Sequence, residues 1–286
     1  MLLTKYLLTL PLLVLLLVTP PLTYASDPLV IGIFPRRNAA STIKSFTPLA
    51  NYLAKKLNRK IILKTTRDFR SFWQGVKKQR YDIVHYNQYH YVQSKKQFGY
   101  DVILKNEEFG KQTISGAIVV RTDSQINTLT DLKGKRIMFG GGPKAMVAYI
   151  ATTYMLRKAG LHKGDYQEVF AKNPPNACMG TYLRQADAGG IGNIALDLPM
   201  IKKRLKTEQL KFIATGEPLP HILWAVKHNM RAPLKHQIQS ILANLHTNAE
   251  GKHILKDAKL TNLVIAKDTE FKRVRAMIKF VTGKSF

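Results

Sequence analysis

The chain has 286 residues, 45% hydrophobic and 22% charged, with 45 Lys and Arg against 18 Asp and Glu for a net charge of +27. The apolar content excludes a disordered chain, and the lone cysteine, Cys178, excludes a disulfide-stapled scaffold or a cysteine-rich metal module. The basic excess favours anionic partners and carries no information about fold.

Residues 1–25 have the layout of a secretory leader: Lys5, an apolar run over 6–18, and the small-x-small exit Thr23-Tyr24-Ala25. This predicts a signal peptide cleaved after Ala25 and a periplasmic mature protein. A membrane anchor fits less well, because the run is short for a span and Pro11, Pro20 and Pro21 interrupt or end it. Export sets nucleic acid aside as a partner, and the basic residues are spread over most predicted helices rather than gathered in one stripe. An anionic ligand and an anionic membrane surface remain as the partners that the charge fits, beside a merely solvated basic surface.

In chain order, residues 29–34 read as a buried strand. Phe46, Leu49, Ala50, Leu53 and Leu57 mark an amphipathic helix over 45–57, and 60–64 is the next strand. Phe69, Phe72, Trp73 and Val76 define a second helix with Asp68 as its N-cap. A strand over 81–86, a helix over 88–97 and a strand over 100–104 follow. This alternation predicts a parallel α/β sheet. Residues 113–121 form one long extended run, 136–139 a strand, and 144–158 a helix that Gly160 ends. Short strands are expected over 167–170, 188–190, 210–214 and 222–226, and helices over 233–245 and 269–281 close the chain. The pattern predicts two α/β lobes: a leader over 1–25, one lobe from 26–116 with 214–286, and the other from 117–213.

Two stretches concentrate the chemistry. In 139-FGGGPKAM-146 the glycines separate a strand from a helix, Pro143 suits the first helical position, and the helix start offers free N–H groups to an anion. Lys144 opposes the helix dipole there, which makes sense if an anion lies between them. The stretch is not a nucleotide loop, since both GxxxxGK[ST] and GxGxxG are absent, and a plain glycine turn is the bland alternative. In 84-VHYNQYHYV-92, His85 and His90 are five apart, which suits neither a helical ligand pair nor one face of a strand. Without HExxH or a cysteine pair, no metal and no cofactor is expected. The absence of GxSxG, paired carboxylates or a Cys/His arrangement leaves no catalytic residue to name.

Six blocks in order resemble one family: the opening IGIFP, SFTPLANYLAKKLN, YDIVHYN, TDLKGKRIMFG before the glycine turn, YLRQADAGGIG, and GEPLPHILWAV. Over residues 29–283 the chain is similar to the periplasmic substrate-binding proteins of phosphate/phosphite/phosphonate-type ABC transporters. The resemblance implies an α/β, two-lobed type II periplasmic-binding-protein fold that closes by a hinge on a small ligand and engages an inner-membrane permease. It places Tyr86 as a cleft tyrosine, with Asn87 starting the next helix and Tyr89 and His90 at the rim. Phe69 falls near another cleft aromatic, and Gly141, Gly142, Lys144, Ala145 and Met146 form the glycine-turn side. Asn173 lies near a polar contact; Asn193 and His221 lie near positions where acidic residues meet a ligand amine. Two departures stand out. Lys144, Ala145 and Met146 replace a run of serine and threonine, and the acidic partners are missing. A less charged ligand held by Phe69, Tyr86, Met146 and Trp224 is therefore weighed beside an oxyanion, as are a ligand-sensing adaptor for a membrane signalling protein and a lipid carrier.

Overall fold

The computed structural model describes residues 27–36 and 38–286, and the predicted leader lies outside them. Thirteen strands and nine α-helices are distributed over two main sheets and one short ribbon among these residues.

The first half builds one lobe. Strand β1 (Leu29–Ile33) leads into helix α1 (Ala39–Leu57), which Asn38 caps by accepting from the Ser41 amide at 2.8 Å. Strand β2 (Ile61–Lys64) and helix α2 (Phe69–Lys77) follow, and Asp68 caps α2 through the Ser71 amide at 2.7 Å. Next come β3 (Ile83–Tyr86), α3 (Gln88–Phe98) and β4 (Tyr100–Glu107). The chain then passes through β5 (Thr113–Ile114) into β6 (Gly116–Arg121) and the other lobe. The extended run expected over 113–121 is thus broken at Ser115. Its N–H goes to the Asn193 side chain at 3.0 Å instead of to a strand.

The second lobe contains β7 (Arg136–Gly140), a wide π-type turn over Met146–Ala151, and helices α4 (Thr152–Lys158) and α5 (Pro174–Tyr182) around β8 (Gln167–Ala171). Strand β9 (Ala188–Gly192), the short α6 (Pro199–Lys202) and β10 (Leu210–Thr215) complete it. The chain returns through β11 (Leu219–Pro220) to β12 (Leu223–Lys227). Helices α7 (Ala232–Ala243) and α8 (Ala249–Ala258), strand β13 (Asn262–Ile265) and helix α9 (Lys272–Thr282) end the chain. Helix α5 and the α8–β13 pair have no counterpart among the predicted elements.

The first sheet has the order β13-β4-β12-β3-β1-β2, with β1 parallel to β2 and β3 and with β12 antiparallel to β3 and β4. The second has the order β10-β6-β9-β7-β8, with β7 parallel to β8 and β9. Strands β5 and β11 pair antiparallel to form the ribbon. Both sheets are mixed rather than, as expected, wholly parallel, and helices cover both faces of each. On the first sheet, Phe46, Leu49 and Leu53 of α1 and Ile238 and Leu242 of α7 cover one face. Phe72 and Trp73 of α2, Tyr89 and Tyr91 of α3, and Val274 and Ile278 of α9 cover the other. Met146, Ile150 and Ala151 of the second lobe belong to that same apolar cluster. Among the described residues no helix is long and apolar enough to cross a membrane.

Glycine is required where the π-type turn lies flat on β9. A Cβ on Gly190 would stand 2.6 Å from the Ala148 carbonyl oxygen and 2.4 Å from the Phe139 ring. The glycine thus lets the turn that follows Lys144 sit close to the sheet. We expect Gly190→Ala to destabilise the protein by about 1–3 kcal/mol, the range for overpacking; a urea midpoint equal to wild type would refute this.

Candidate functional site

The carboxyl ends of β1, β3 and β4 in one lobe and of β7 in the other approach each other where the ribbon joins the sheets. In open α/β sheets this edge is where ligands bind. Asn87 stands at the centre. Its Oδ1 caps α3 by accepting from the His90 amide at 2.9 Å and also accepts from His90 Nδ1 at 2.9 Å. Its Nδ2 donates to the Lys144 carbonyl at 3.2 Å, a bond between lobes.

Around that bond the aromatic residues form a wall. The Lys144 ammonium lies 5.5 Å from the Trp73 ring centre and 5.9 Å from that of Tyr89, within cation–π range. His90 packs on Trp73 at 4.9 Å and lies nearly parallel to Phe69 at 6.3 Å. Phe69 is 36% exposed, so this wall reaches solvent at one side. Burial lowers the Lys144 pKa, and Lys284 and Lys77 lower it further by repulsion. The positive field at Lys144 therefore favours an anion there.

Other expected residues lie elsewhere or have their polar groups already engaged. Tyr86 is a correction: its side chain is fully buried, its hydroxyl shares a 2.6 Å hydrogen bond with Ser94 Oγ, and Tyr91 and Tyr100 stand edge-on to it. Strand alternation sends Val84 and Tyr86 under α3 and sends His85 to the opposite face, where it stacks on Trp224 at 4.4 Å. Met146 is buried in the apolar cluster and offers nothing polar. Gly141, at φ +121°, donates its N–H to the Phe139 and Ala171 carbonyls, and the Ala145 N–H goes to the Gly142 carbonyl. Neither amide is free for an anion, and Gly142 is exposed at the tip. Asn173 caps α5 through the Asn176 amide at 3.0 Å. Asn193 and Ser115 exchange hydrogen bonds beside the ribbon, since the Asn193 amide also donates to the Ser115 carbonyl at 2.9 Å. Lys144 and Asn87 thus meet at the cleft, with Phe69 on its wall. Trp73, Tyr89 and His90 complete that wall, and helical spacing alone gave Trp73 as core.

A polar cluster lies beside the cleft in the first lobe. Arg36 pairs with the buried Glu108 at 3.1 Å, Glu108 accepts from Asn106, and Asn106 accepts from the Trp224 indole at 3.1 Å. Arg36, Asn106 and Glu108, with His85 and Thr42, line a cavity of about 20 Å³, room for a single water. His221 is fully buried nearby, and its Nδ1 accepts from the Ile222 amide at 2.8 Å. Burial holds three histidines neutral: His85 and His90 are pushed down to about 3 and His221 to about 4, with Lys144 adding to the effect on His90. Among the described residues, no group of three or more His, Cys, Asp or Glu is placed to hold a metal ion.

A family profile described as the periplasmic substrate-binding protein of phosphonate ABC transporters matches residues 31–271. Among solved structures, the chain is 15% identical to a binding-protein component of a Pseudomonas aeruginosa ABC phosphonate transporter, with 88% of this chain and 86% of that one covered at a TM-score of 0.76. PhnD1 from Prochlorococcus marinus in complex with methylphosphonate shares 16% identity over 90% of this chain and 99% of its own, at a TM-score of 0.78. A Xanthomonas citri protein bound to ATP shares 17% over 90% of this chain and 98% of its own, at a TM-score of 0.75. At these identities the likeness concerns the fold, which is that of the two-lobed periplasmic binding proteins.

The three buried histidines set an acid sensitivity. Each has a folded pKa below its unfolded value near 6.5, so the unfolded chain binds more protons between about pH 4 and 6.5. Their contribution is present in full above pH 6.5 and is lost as the pH falls through that window, by up to about 1.4 kcal/mol per histidine per pH unit. Urea midpoints should hold from pH 7.5 to about 6.5 and fall from there to pH 5; a flat profile throughout would show that these rings are not held neutral.

Proposed function

We propose that this chain, which belongs to the periplasmic phosphonate-binding family of ABC-transporter substrate-binding proteins, closes its two lobes on a small oxyanion of the phosphonate class. The observation that carries the reading is the placement of Lys144. It comes from one lobe, lies against Trp73 and Tyr89 of the other, and repels Lys77 and Lys284 beside it. An anion there relieves the repulsion and touches both lobes at once. A ligand that binds the closed arrangement better than the open one drives closure by that difference. The likeness to a protein bound to methylphosphonate supports the ligand class.

The chemistry departs from a hydroxyl-lined oxyanion site. Lys144 supplies a charge where Ala145 and Met146 supply no hydroxyl, and Asn87 fixes the backbone of that lysine from the opposite lobe. The hinge falls in this reading at the two crossings, around Ser115 and around Thr215 to Leu219. The Ser115–Asn193 clip and the β5–β11 ribbon hold the strands together there. One lobe then comprises 26–116 with 214–286, and the other 117–213. Family membership implies a membrane permease as the partner of the closed form, and the leader over 1–25 would be removed during export.

Two measurements test this. Isothermal titration should show methylphosphonate binding to the folded chain, and Lys144→Ala should weaken it by about 1.5–3 kcal/mol, the range for a hydrogen bond to a charged group. That is roughly a ten- to 150-fold rise in Kd. Unchanged affinity would remove Lys144 from the site. Small-angle scattering should show compaction on ligand addition, and no change under saturating ligand would refute closure.

A further inference from the structure

Two side chains near the start of α3 and the end of the ribbon are buried with one polar atom each unpartnered: Gln88 through Oε1 and His221 through Nε2. Both residues are fully enclosed. Gln88 is the first residue of α3, next to Asn87, and its Nε2 donates to the Pro220 carbonyl at 2.6 Å. His221 follows directly, where the ribbon ends, and its backbone amide is taken by the Gln112 carbonyl at 3.1 Å. The two orphaned atoms therefore sit where the start of α3 meets the end of the ribbon. In native structures an unpartnered buried polar atom calls for an explanation.

Their chemistry is complementary. Gln88 Nε2 is the donor to Pro220, so Oε1 is an acceptor. His221 Nδ1 accepts from the Ile222 amide, so a neutral ring carries its proton on Nε2, which is a donor. One group that both donates and accepts satisfies the pair: a hydroxyl takes the His221 Nε2–H and gives its own proton to Gln88 Oε1. An ammonium has three donors and no acceptor, and would set N–H against N–H at His221. A methyl group leaves both atoms orphaned, with the desolvation penalty of each retained.

We propose that Gln88 and His221 form a neutral donor–acceptor subsite that selects oxyanions carrying a distal hydroxyl. This inference rests on the oxyanion reading of Lys144 and adds the other end of the ligand. The anionic end lies toward Lys144, Lys77 and Lys284, and the hydroxyl lies inward against the ribbon. The subsite takes a neutral group in the place where an acidic side chain would take an amine.

The test is titration calorimetry of the folded chain with methylphosphonate, 2-hydroxyethylphosphonate and 2-aminoethylphosphonate. We expect 2-hydroxyethylphosphonate to bind about tenfold or more tightly than either of the others, the ratio that one hydrogen bond of ordinary strength supplies. His221→Asn keeps an acceptor for the Ile222 amide and removes the Nε2 donor. It should bring the hydroxyethyl compound to the level of methylphosphonate. Gln88→Glu should turn the preference toward the aminoethyl compound. Equal affinities across the wild-type series, or a preference for the amine, overturns the subsite while the oxyanion reading stands. Failure of all three to bind overturns the oxyanion reading and the subsite with it.

Discussion

The amide of Asn87 is the contact on which the site depends. A single planar group caps α3, fixes the His90 ring and reaches the Lys144 backbone in the other lobe. Each of these needs a short polar side chain just past the end of β3. An N-cap residue in extended conformation meets that need, at φ −79° and ψ 166°. The aromatic wall follows from it. Once His90 is held through Nδ1, Trp73 and Phe69 of α2 pack against its ring, and Tyr89 stands edge-on at 6.0 Å. Local capping, tertiary packing and the approach of the lobes thus converge on one side chain.

The acidic residues show how a strongly basic chain keeps a cationic cleft. Asp101 takes Lys95, Lys235 and His228, Asp123 takes Arg121 and Arg184, and Asp268 takes Arg275. Glu108, for which burial alone would favour the neutral form, is held below its usual range by Arg36 and its neighbours. Among the described residues these pairings use the carboxylates on framework contacts. The ion pairs so described do not include Lys77, Lys144 or Lys284. The positive charge of Lys144 is therefore left unpaired among the described residues where the lobes meet, with Lys77 and Lys284 adding to the field there. Partial burial strengthens it there relative to the open surface.

Much of the framework was legible because it rests on local signals. Buried strands bounded by capped helices read directly from 29 to 104, and the Asp68 cap formed as expected. The break at Ser115 was not legible, because its cause is the side chain of Asn193, far along the chain. Helix α8 was missed because Gly251 interrupts its pattern, yet a side chain there would run into the Leu245 carbonyl. At the site, Asn87 and Lys144 could be placed from strand ends and the glycine turn. Tyr86 could not be aimed, since a strand end fixes where a backbone stops and not which face its last side chain takes. With both faces of β3 covered, alternation turned that ring into the core. Trp73 was hidden for the converse reason. Helical spacing marks it as apolar, and it is both core and wall, because the core itself continues to the cleft.

That continuity shapes the energetics of closure. Met146 lies two residues beyond Lys144 and is 1% exposed in the cluster shared with α2, α3 and α9. A rotation that draws Lys144 away from Trp73 carries Met146 with it, and full exposure of such a side chain costs about 1.5–3 kcal/mol. Apolar packing and the cation–π contacts therefore favour closure before any ligand contributes. Repulsion among Lys77, Lys144 and Lys284 and the two orphaned atoms of Gln88 and His221 act against it. The balance is one that a small anion can tip, since it removes opposing terms rather than having to supply the whole of the closing force. In this arrangement the apolar packing of Met146 carries part of the work of closure that would otherwise fall to the ligand.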